Sequence, residues 1–511
     1  MTECGPAPAV RPGARTARTA AHRTVTGAAA LLVALLLAMA VRLPWAGDLG
    51  MHAAVLERLR TDLFHPGNPL VAADTPSPYY SPWTVLLAAF ATVTGWSTFR
   101  VLHLAALVDL AVLVTGVRAF VRTFTRRRAA VPLALLCLFL LYGVRLFAWS
   151  GFLGIASLSL TLAYPGVLAF GAAFHFWALL RRALAGRWPL SAFLGLGLLL
   201  ACVLLTHPFT GAVAVTGGAA VLLGQRPWPA RAVWARAAAG CLPAVAVPLC
   251  WPYYPVLTLL GGGGLDAVHR PLYTHLGTKF CLAALGAAAL ALRARRDKRD
   301  PLVLFCALGL AVFTAGGLSG HHAWGRILPA VLVPAQLALA LETTDAVARA
   351  RRTRAVLAPL TAAGLLAGAV AQAGVVTYVL PSAAVPRALR ALPAVAPWPR
   401  FSWAARHVAR GETVMTDDYR ALRALPAYGP YTVAPAWPDA FLDDEAERRA
   451  ATRRYFAPAT PRAERLGILR EFGVRWVLQR DGHGGLPPGD PALRRVERGP
   501  GGLALSEVRT P

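Results

Sequence analysis

Charged residues are scarce in this chain. Asp, Glu, Lys and Arg make up 15% of its 511 residues, whereas soluble domains carry about 25%. Apolar runs of roughly 20 residues recur along the first three quarters of the sequence, long enough to cross about 30 Å of hydrocarbon. The sequence therefore predicts an α-helical polytopic membrane protein and argues against a soluble one.

Other absences exclude classes of function. The chain has no P-loop, no GxSxG elbow, no CxxC pair and no HExxH motif, which argues against ATP-driven transport, serine hydrolysis and zinc proteolysis. Its seven cysteines show no metal-ligand spacing, and we expect them to pack as small apolar residues. Lysine is almost missing, so the net charge of +27 comes from arginines between apolar runs. That pattern indicates membrane topology and not nucleic-acid binding.

The arginine clusters order the predicted spans. Residues 1–24 form a basic tail that we expect to be cytoplasmic, and 25–382 form the transmembrane domain. An eleven-span arrangement places every cluster on the inner side and makes 81–98 a partial or interfacial helix. A thirteen-span alternative makes 81–98 a complete helix and adds one near 150–165. Both arrangements place the C-terminus outside. The clusters are 122–128, 181–187, 226–236, 293–299 and 349–354.

Composition changes at about residue 383. The rest of the chain holds 14 of the 25 acidic residues and no apolar run long enough to span a membrane. Residues 413–416 and 474–479 are predicted strands, and 442–456 and 461–472 are predicted helices. We therefore expect 383–511 to form a small extracytoplasmic α/β domain of a multi-pass plasma-membrane protein.

The first predicted outer loop, 46–82, holds the acidic residue of greatest interest. Asp48 lies just past the first apolar run, where a carboxylate can stay charged and still face a lipid-borne ligand. It can act as general base on an acceptor hydroxyl, with His52 one helical turn later on the same face. The alternative is that Asp48 only begins a helix, since Asp is favoured at the N-cap. Asp62 and Asp74 are either accessory to acceptor or metal binding or, more commonly for such residues, turn formers.

Arginines and histidines near the predicted outer helix ends are candidate ligand-binding groups. Arginine makes bidentate contacts to phosphate oxygens, although snorkelling toward lipid headgroups is the simpler alternative. The adjacent histidine pair has no carboxylate nearby and indicates a metal only weakly. The predicted phosphate-binding residues are Arg326, Arg145 and Arg270, and the accessory histidines are His207, His321 and His322.

Asp109 is the acidic residue that lies deep in an apolar run. Intramembrane carboxylates are functional candidates by default. The alternative is burial with a partner, such as His103 or an arginine of a neighbouring helix. We expect structural pairing here.

Several segments resemble the GT-C glycosyltransferases, polytopic enzymes that transfer a sugar from a polyprenyl-phosphate carrier at the outer face of the membrane. Protein O-mannosyltransferases, aminoarabinose transferases and arabinofuranosyltransferases belong to this superfamily. The segments are WAGDLGMH in the first loop, SPYYSPWTVLLA and GWSTFRVLHL after it, YPGVLAF at 164–170, and GETVMTDDYRALRALPAYGPYTV and ERLGILREFGVRWVL in the C-terminal region.

The resemblance implies a GT-C fold, often of thirteen spans, and a first-loop acid that acts as catalytic base. The matching residue here is Asp48. Many members carry paired acids in that loop, whereas Leu49 follows Asp48 in this chain. No organic cofactor is implied, and the use of a divalent metal is left open.

The implied reaction is inverting transfer of a hexose or pentose from a polyprenyl-phosphate donor to a cell-envelope glycan, lipid or protein. The acceptor hydroxyl is deprotonated, the anomeric carbon is attacked, and cationic residues stabilise the departing phosphate. The expected partners are the lipid donor, the bilayer and the acceptor, with no nucleic acid. One alternative is a transporter or flippase, which should show inverted repeats and polar residues at the midplane. Another is a polymerase or ligase for lipid-linked glycan precursors.

Overall fold

The computed structural model describes residues 12–186, 188–261, 264–349 and 351–509. Residues 1–11 of the expected N-terminal tail lie outside these ranges, and the remainder of that tail is already helical. The helices of the first 371 residues are α1 (Pro12–Arg42), α2 (Leu49–Thr61), α3 (Pro82–Thr94), α4 (Thr98–Val121), α5 (Ala130–Leu140), α6 (Ile155–Thr161), α7 (Pro165–Ala185), α8 (Leu190–Thr206), α9 (Pro208–Leu223), α10 (Arg231–Leu249), α11 (Leu265–His269), α12 (Leu276–Phe280), α13 (Leu285–Arg296), α14 (Pro301–Ser319), α15 (Pro329–Arg349) and α16 (Arg351–Ala371).

The apolar runs fold as helices, because a helix bonds all of its backbone polar groups within one segment. Within the described ranges, six segments are long and apolar enough to cross a membrane: His22–Arg42, Thr98–Val121, Pro165–Ala185, Arg231–Leu249, Pro301–Ser319 and His322–Asp345. Five further apolar helices are shorter: Pro82–Thr94, Ala130–Leu140, Leu190–Thr206, Pro208–Leu223 and Ala355–Ala371.

Several of the eleven predicted spans are thus shorter than a full crossing, for local physical reasons. Pro208 begins α9 directly after α8, because proline cannot continue the preceding helix. α5 ends at Leu140, and an irregular segment follows. Its backbone is supported by buried amides: Gln336 Nε2 donates to the Leu141 carbonyl at 2.7 Å, and Gln372 Nε2 donates to that of Leu140 at 3.1 Å. Irregular backbone within an apolar helix bundle requires such hydrogen-bond partners.

Segment 81–98 does not cross the bundle. α3 has 13 residues, about 20 Å of helix. The hydroxyl of Thr98, the first residue of α4, donates to Glu57 of α2, so α4 begins on the side that carries the first loop. The extra helix of the thirteen-span alternative corresponds to α6, which has seven residues and is too short to span.

The bundle therefore has a first-loop end, which carries α2, and an arginine end, where charged side chains pair. At the arginine end Arg127 Nε lies 2.7 Å from Asp345. Arg293 contacts Asp300 at 2.6 Å and Glu342 at 3.0 Å. Three acidic residues thus bind two of the predicted arginine clusters to the ends of α14 and α15.

The C-terminal region contains a five-stranded sheet in the order β2-β1-β3-β5-β4. β1 pairs in parallel with β2 and β3, while β5 pairs antiparallel with β3 and β4. The predicted strands and helices are confirmed within a few residues, and β2, β4 and β5 are additional. The elements are α17 (Arg387–Arg390), α18 (Ser402–Ala405), β1 (Thr413–Met415), α19 (Ala421–Ala424), β2 (Tyr431–Thr432), α20 (Glu445–Phe456), α21 (Arg462–Glu471), β3 (Val474–Arg480), β4 (Leu493–Arg498) and β5 (Leu503–Val508).

This α/β domain packs on the first-loop end through α2. Arg58 Nη2 donates to the Pro430 carbonyl at 2.8 Å, and Arg410 lies 2.8 Å from Glu57. Both α2 residues are buried. The polar residues of α2 therefore anchor the domain, and any site at the start of α2 lies beneath it.

Candidate functional site

Asp48 lies in the turn between α1 and α2, directly after Gly47 with φ +58°. It occupies the N-cap position of α2, but its side chain makes no capping hydrogen bond. Its Oδ1 instead accepts a 2.8 Å hydrogen bond from Trp437 Nε1 and lies 3.5 Å from Arg423 Nε. The N-cap alternative thus accounts for the position of Asp48 and not for what its carboxylate contacts.

His52 lies one helical turn further on, as expected, but its environment is apolar. Its ring packs edge-on to Tyr164, with centroids 4.5 Å apart, and beside Tyr79 at 5.9 Å. Burial lowers the pKa of His52 to about 4, an effect that the Asp48 carboxylate partly opposes. His52 is therefore neutral at pH 7, and its buried Nδ1 has no hydrogen-bond partner among the described residues.

Four charged groups affect the pKa of Tyr79, a residue of the first loop. Burial raises its pKa, and the carboxylates of Asp48 and Asp439 raise it further, while the guanidinium groups of Arg423 and Arg326 oppose that rise. Arg326 belongs to the connection between α14 and α15. The Tyr79 phenol is neutral at pH 7.

Arg326 is buried and held by two segments. Its Nη1 donates to the Ser150 carbonyl at 2.6 Å, and its Nη2 lies 3.3 Å from His207 Nε2. His207 is the N-cap residue of α9: its Nδ1 accepts from the Thr210 backbone N–H at 3.2 Å and lies 2.7 Å from the Thr210 hydroxyl. Gly151 leaves space beside this pair, since a Cβ there would lie 3.3 Å from Arg326 Nη2. The residues that surround Arg326 are Gly151, Phe170, His207, Phe209, Thr210 and Val213.

The start of α7 connects His207 to α2, because Tyr164 donates to the Ala46 carbonyl at 2.9 Å and packs on His52, and a Cβ at Gly166 would lie 3.4 Å from the His207 ring. Burial, the charge of Arg326 and the proximity of His52 all lower the pKa of His207 well below the ordinary value. The structure therefore brings Asp48, His52, His207 and Arg326 into one cluster at the first-loop end.

His269 is a member of this neighbourhood that the sequence did not single out. Its ring lies 5.3 Å from that of Phe209, over which Arg326 stacks at 4.6 Å. Burial and the charge of Arg326 lower the pKa of His269 to about 4. The available signal was its place in the same predicted outer loop as Arg270.

The other predicted basic residues lie apart from the cluster. Arg145 and Arg270 are exposed, although each belongs to a segment that packs near Arg326. His321 is exposed and stacks on Trp324, and His322 packs against Tyr273 at 5.4 Å. His321 and His322 lie five and four residues before Arg326 in the same connection. Neither is a hydrogen-bond partner of Arg326.

The two other candidate acids of the first loop, Asp62 and Asp74, are both exposed. Asp62 Oδ1 accepts hydrogen bonds from the backbone N–H groups of Phe64 and His65, both at 2.9 Å, which is the geometry of a turn former. Asp74 makes no side-chain hydrogen bond within the described ranges. Across those ranges, no three His, Cys, Asp or Glu side chains are grouped so as to hold a metal.

The expected pairing of Asp109 is wrong. Both of its carboxyl oxygens are buried without a hydrogen-bond partner in the described part of the chain. His103, the partner considered from the sequence, uses its Nδ1 to donate to the Phe99 carbonyl at 2.7 Å. His103 thus bonds to a backbone carbonyl one helical turn earlier, whereas Asp109 lies almost two turns later on the same helix.

No protein-family model matches the chain, and no curated protein matches its sequence. Solved structures do match. The arabinofuranosyltransferase AftD from Mycobacteria aligns with a TM-score of 0.56 and 17% identity, over 96% of this chain and 40% of AftD; the chain thus spans less than half the length of AftD. ArnT from Cupriavidus metallidurans aligns in its apo state with a TM-score of 0.54 and 14% identity, over 95% of this chain and 98% of ArnT.

A second ArnT structure, bound to undecaprenyl phosphate, aligns with a TM-score of 0.52 and 14% identity, over 94% of this chain and 98% of ArnT. At these identities the likeness concerns the fold. The alignments extend over the helical bundle and the C-terminal domain, and together with the apolar helices they identify a multi-pass membrane protein. The chain has the fold of the GT-C glycosyltransferases.

Proposed function

We propose that this protein is a membrane glycosyltransferase that moves a sugar from a polyprenyl-phosphate donor to a cell-envelope glycan, lipid or protein, with Asp48 as general base. The observation that carries the proposal is the cluster at the first-loop end. The cluster contains an accessible carboxylate, Asp48, and a buried guanidinium, Arg326, on either side of the start of α7. A base for the acceptor and a cation for the leaving group are the two charges that this reaction requires.

Asp48 is suited to take a proton. Its side chain is 27% exposed, and both contacts to the carboxylate involve Oδ1. In the reaction the acceptor O–H bond breaks and its proton moves to the carboxylate. The acceptor oxygen bonds to the anomeric carbon from the side opposite the phosphate, so that the configuration inverts. The bond between the anomeric carbon and the phosphate oxygen breaks, and the phosphate leaves with the electron pair.

Arg326 is suited to hold that phosphate. It is 7% exposed, and a charge removed from water interacts more strongly with an anion than one on the surface. Ser150, His207 and the ring of Phe209 fix its plane, so the donors are oriented before the charge develops. Arg145 and Arg270 are exposed, and in this proposal they do not hold the departing phosphate.

The similar structures support a lipid-phosphate donor and leave the sugar undetermined. ArnT has been seen with undecaprenyl phosphate, and AftD is an arabinofuranosyltransferase. The phosphate of such a carrier is the anion that Arg326 binds in this proposal. The assay therefore uses donors that carry hexoses and donors that carry pentoses.

The test is transfer of radiolabelled sugar from a panel of undecaprenyl-phosphate hexoses and pentoses, using purified protein in nanodiscs and envelope extract as acceptor. Asp48→Asn should lower transfer by about 10²–10⁴-fold, the usual contribution of a general base. The matched control is Asp444→Asn, since Asp444 also occupies an N-cap without a capping bond and pairs with an arginine, Arg448. It should transfer at the wild-type rate.

Full activity of Asp48→Asn would contradict the base assignment and direct attention to Asp62 or Asp74. The transporter alternative has one observation in its favour, the unpaired Asp109 within a candidate span. It predicts movement of a fluorescent undecaprenyl-phosphate sugar across vesicles without transfer. That movement should stop in Asp109→Asn and persist in Asp48→Asn.

A further inference from the structure

Two side chains of the C-terminal domain reach the carboxylate of Asp48. Trp437 follows β2, and its indole N–H donates to Oδ1 at 2.8 Å. Arg423 belongs to α19, and its Nε lies 3.5 Å from the same oxygen. Oδ2 receives no hydrogen bond from any described residue. The domain thus distinguishes the two oxygens of one carboxylate.

Arg423 has little freedom to move. It is 2% exposed, and its Nη1 and Nη2 donate to the carbonyls of Tyr419 and Ala436 at 3.0 and 3.3 Å. Its guanidinium lies between two rings, 3.7 Å from the centroid of Tyr419 and 4.2 Å from that of Trp437. Its Nε has no hydrogen-bond partner among the described residues, and Nε is the atom that faces Asp48.

The backbones on either side of this contact are also fixed. A Cβ at Gly50, in the first turn of α2, would collide with the Arg423 carbonyl oxygen, so α2 and α19 meet at a glycine that permits the close approach. Met51 and Ala54 of α2 pack in one apolar cluster with Ala436 and Leu442 of the domain. The orientation of Asp48 is therefore set by the domain as well as by its own helix.

We propose that Trp437 and Arg423 are positioning residues for the transfer reaction, which hold Oδ1 of Asp48 so that Oδ2 is the atom that takes the acceptor proton. This rests on the proposed function. The acceptor O–H bond breaks with its proton going to Oδ2, the acceptor oxygen bonds to the anomeric carbon, and the phosphate leaves with the electron pair of the broken bond. Trp437 and Arg423 keep their hydrogens throughout and touch no substrate atom.

The chain contains matched controls for both residues. Trp476 Nε1 donates to the Glu412 carboxylate at 2.7 Å, so Trp476→Phe removes the same kind of hydrogen bond in the same domain but away from Asp48. Arg465 is buried and donates to the carbonyls of Gly485 and Ala457, so Arg465→Lys is the counterpart of Arg423→Lys.

The experiment compares Trp437→Phe and Arg423→Lys with these two controls, using whichever undecaprenyl-phosphate sugar the wild type accepts. The quantities measured are kcat, KM of donor and acceptor, the pH dependence of kcat/KM and thermal stability. Trp437→Phe should lower kcat about 10- to 100-fold, the range expected for one hydrogen bond to a charged group, with both KM values unchanged. The acid limb of its rate profile should move to higher pH, because loss of an N–H donor favours a protonated carboxylate. Arg423→Lys should lower kcat in the same way.

Trp476→Phe and Arg465→Lys should keep the wild-type kcat and pH profile, even where their stability falls. The proposal is overturned if Trp437→Phe keeps the wild-type kcat and profile, or if Trp476→Phe moves the profile equally. Asp48→Asn in the same panel distinguishes failure of the proposed function from failure of the positioning role. An active Asp48→Asn refutes the proposed function, whereas an inactive Asp48→Asn with a wild-type-like Trp437→Phe refutes only the positioning role.

Discussion

Arg326→Gln tests phosphate binding most directly, because the contacts of the guanidinium define what is lost. Arginine has five N–H donors. One at Nη1 is used by Ser150 and one at Nη2 by His207, and Nε has no partner among the described residues. The Nε–H and the two other N–H groups therefore remain for phosphate oxygens. Glutamine keeps a polar amide but removes the charge and the fork that binds two oxygens at once.

The expected loss is large. Removal of one preorganised donor to a developing anion typically costs about 10²–10³ in kcat, or roughly 3–4 kcal/mol. Affinity for undecaprenyl phosphate should fall about 10- to 100-fold, since hydrogen bonds to charged groups contribute about 1.5–3 kcal/mol. Arg326→Lys should lie between, because it keeps the charge as a single point.

The assay combines transfer kinetics with thermal stabilisation of the purified protein by undecaprenyl phosphate, which grows with ligand concentration over Kd. Arg181→Gln is the control. Arg181 also stacks on a ring, that of Phe124 at 3.9 Å, but that ring adjoins the arginine end, so undecaprenyl phosphate should stabilise this variant as it does the wild type. Arg326→Gln with wild-type kcat and the wild-type response to undecaprenyl phosphate would refute the phosphate-binding role.

Three further predictions concern stability. Asp109→Ala should raise the unfolding free energy by about 1–3 kcal/mol, because both carboxyl oxygens are buried without a hydrogen-bond partner among the described residues. Glu342→Ala should lower the unfolding free energy by about 3–5 kcal/mol, because it breaks a buried ion pair with Arg293. Thermal unfolding in detergent measures both, and changes of the same sign would contradict this account. His52 is protonated below about pH 6.5 in the unfolded chain but only below about pH 4 in the folded chain. Its contribution to stability is therefore complete above pH 6.5 and is lost as the pH falls from 6.5 to 4, by about 3 kcal/mol in total. His52→Gln should flatten the dependence of the unfolding midpoint on pH over that range, and an unchanged dependence would refute the assignment.

The helices and the small domain could be predicted because their signals are local. A long apolar run has few alternatives to a helix in lipid, so the transmembrane architecture follows from the run lengths. Strands such as Val474–Arg480 follow from β-branched and aromatic residues between turn signals. The position of Asp48 before α2 follows from its N-cap preference. Run length alone did not show that α5 ends at Leu140, because the amides that support the irregular backbone come from distant helices.

The candidate site was only half visible in the sequence. Asp48, His52, His207 and Arg326 were all named from their places near predicted helix ends, but Arg145, Arg270 and the adjacent pair His321-His322 were named with them. The side on which a short connection presents each side chain depends on its packing. No local periodicity separates the buried Arg326 from its exposed neighbours.

The sequence by itself determined that the chain is a bundle of membrane helices followed by a small α/β domain, and that an acid follows the first helix. Tertiary structure alone decided what that acid touches. Arg423 and Trp437 lie more than 370 positions after Asp48 and reach it only because α2 and α19 pack closely at Gly50. Such contacts depend on how two folded units fit together, and that fit is a property of shape and burial which no single stretch of sequence contains.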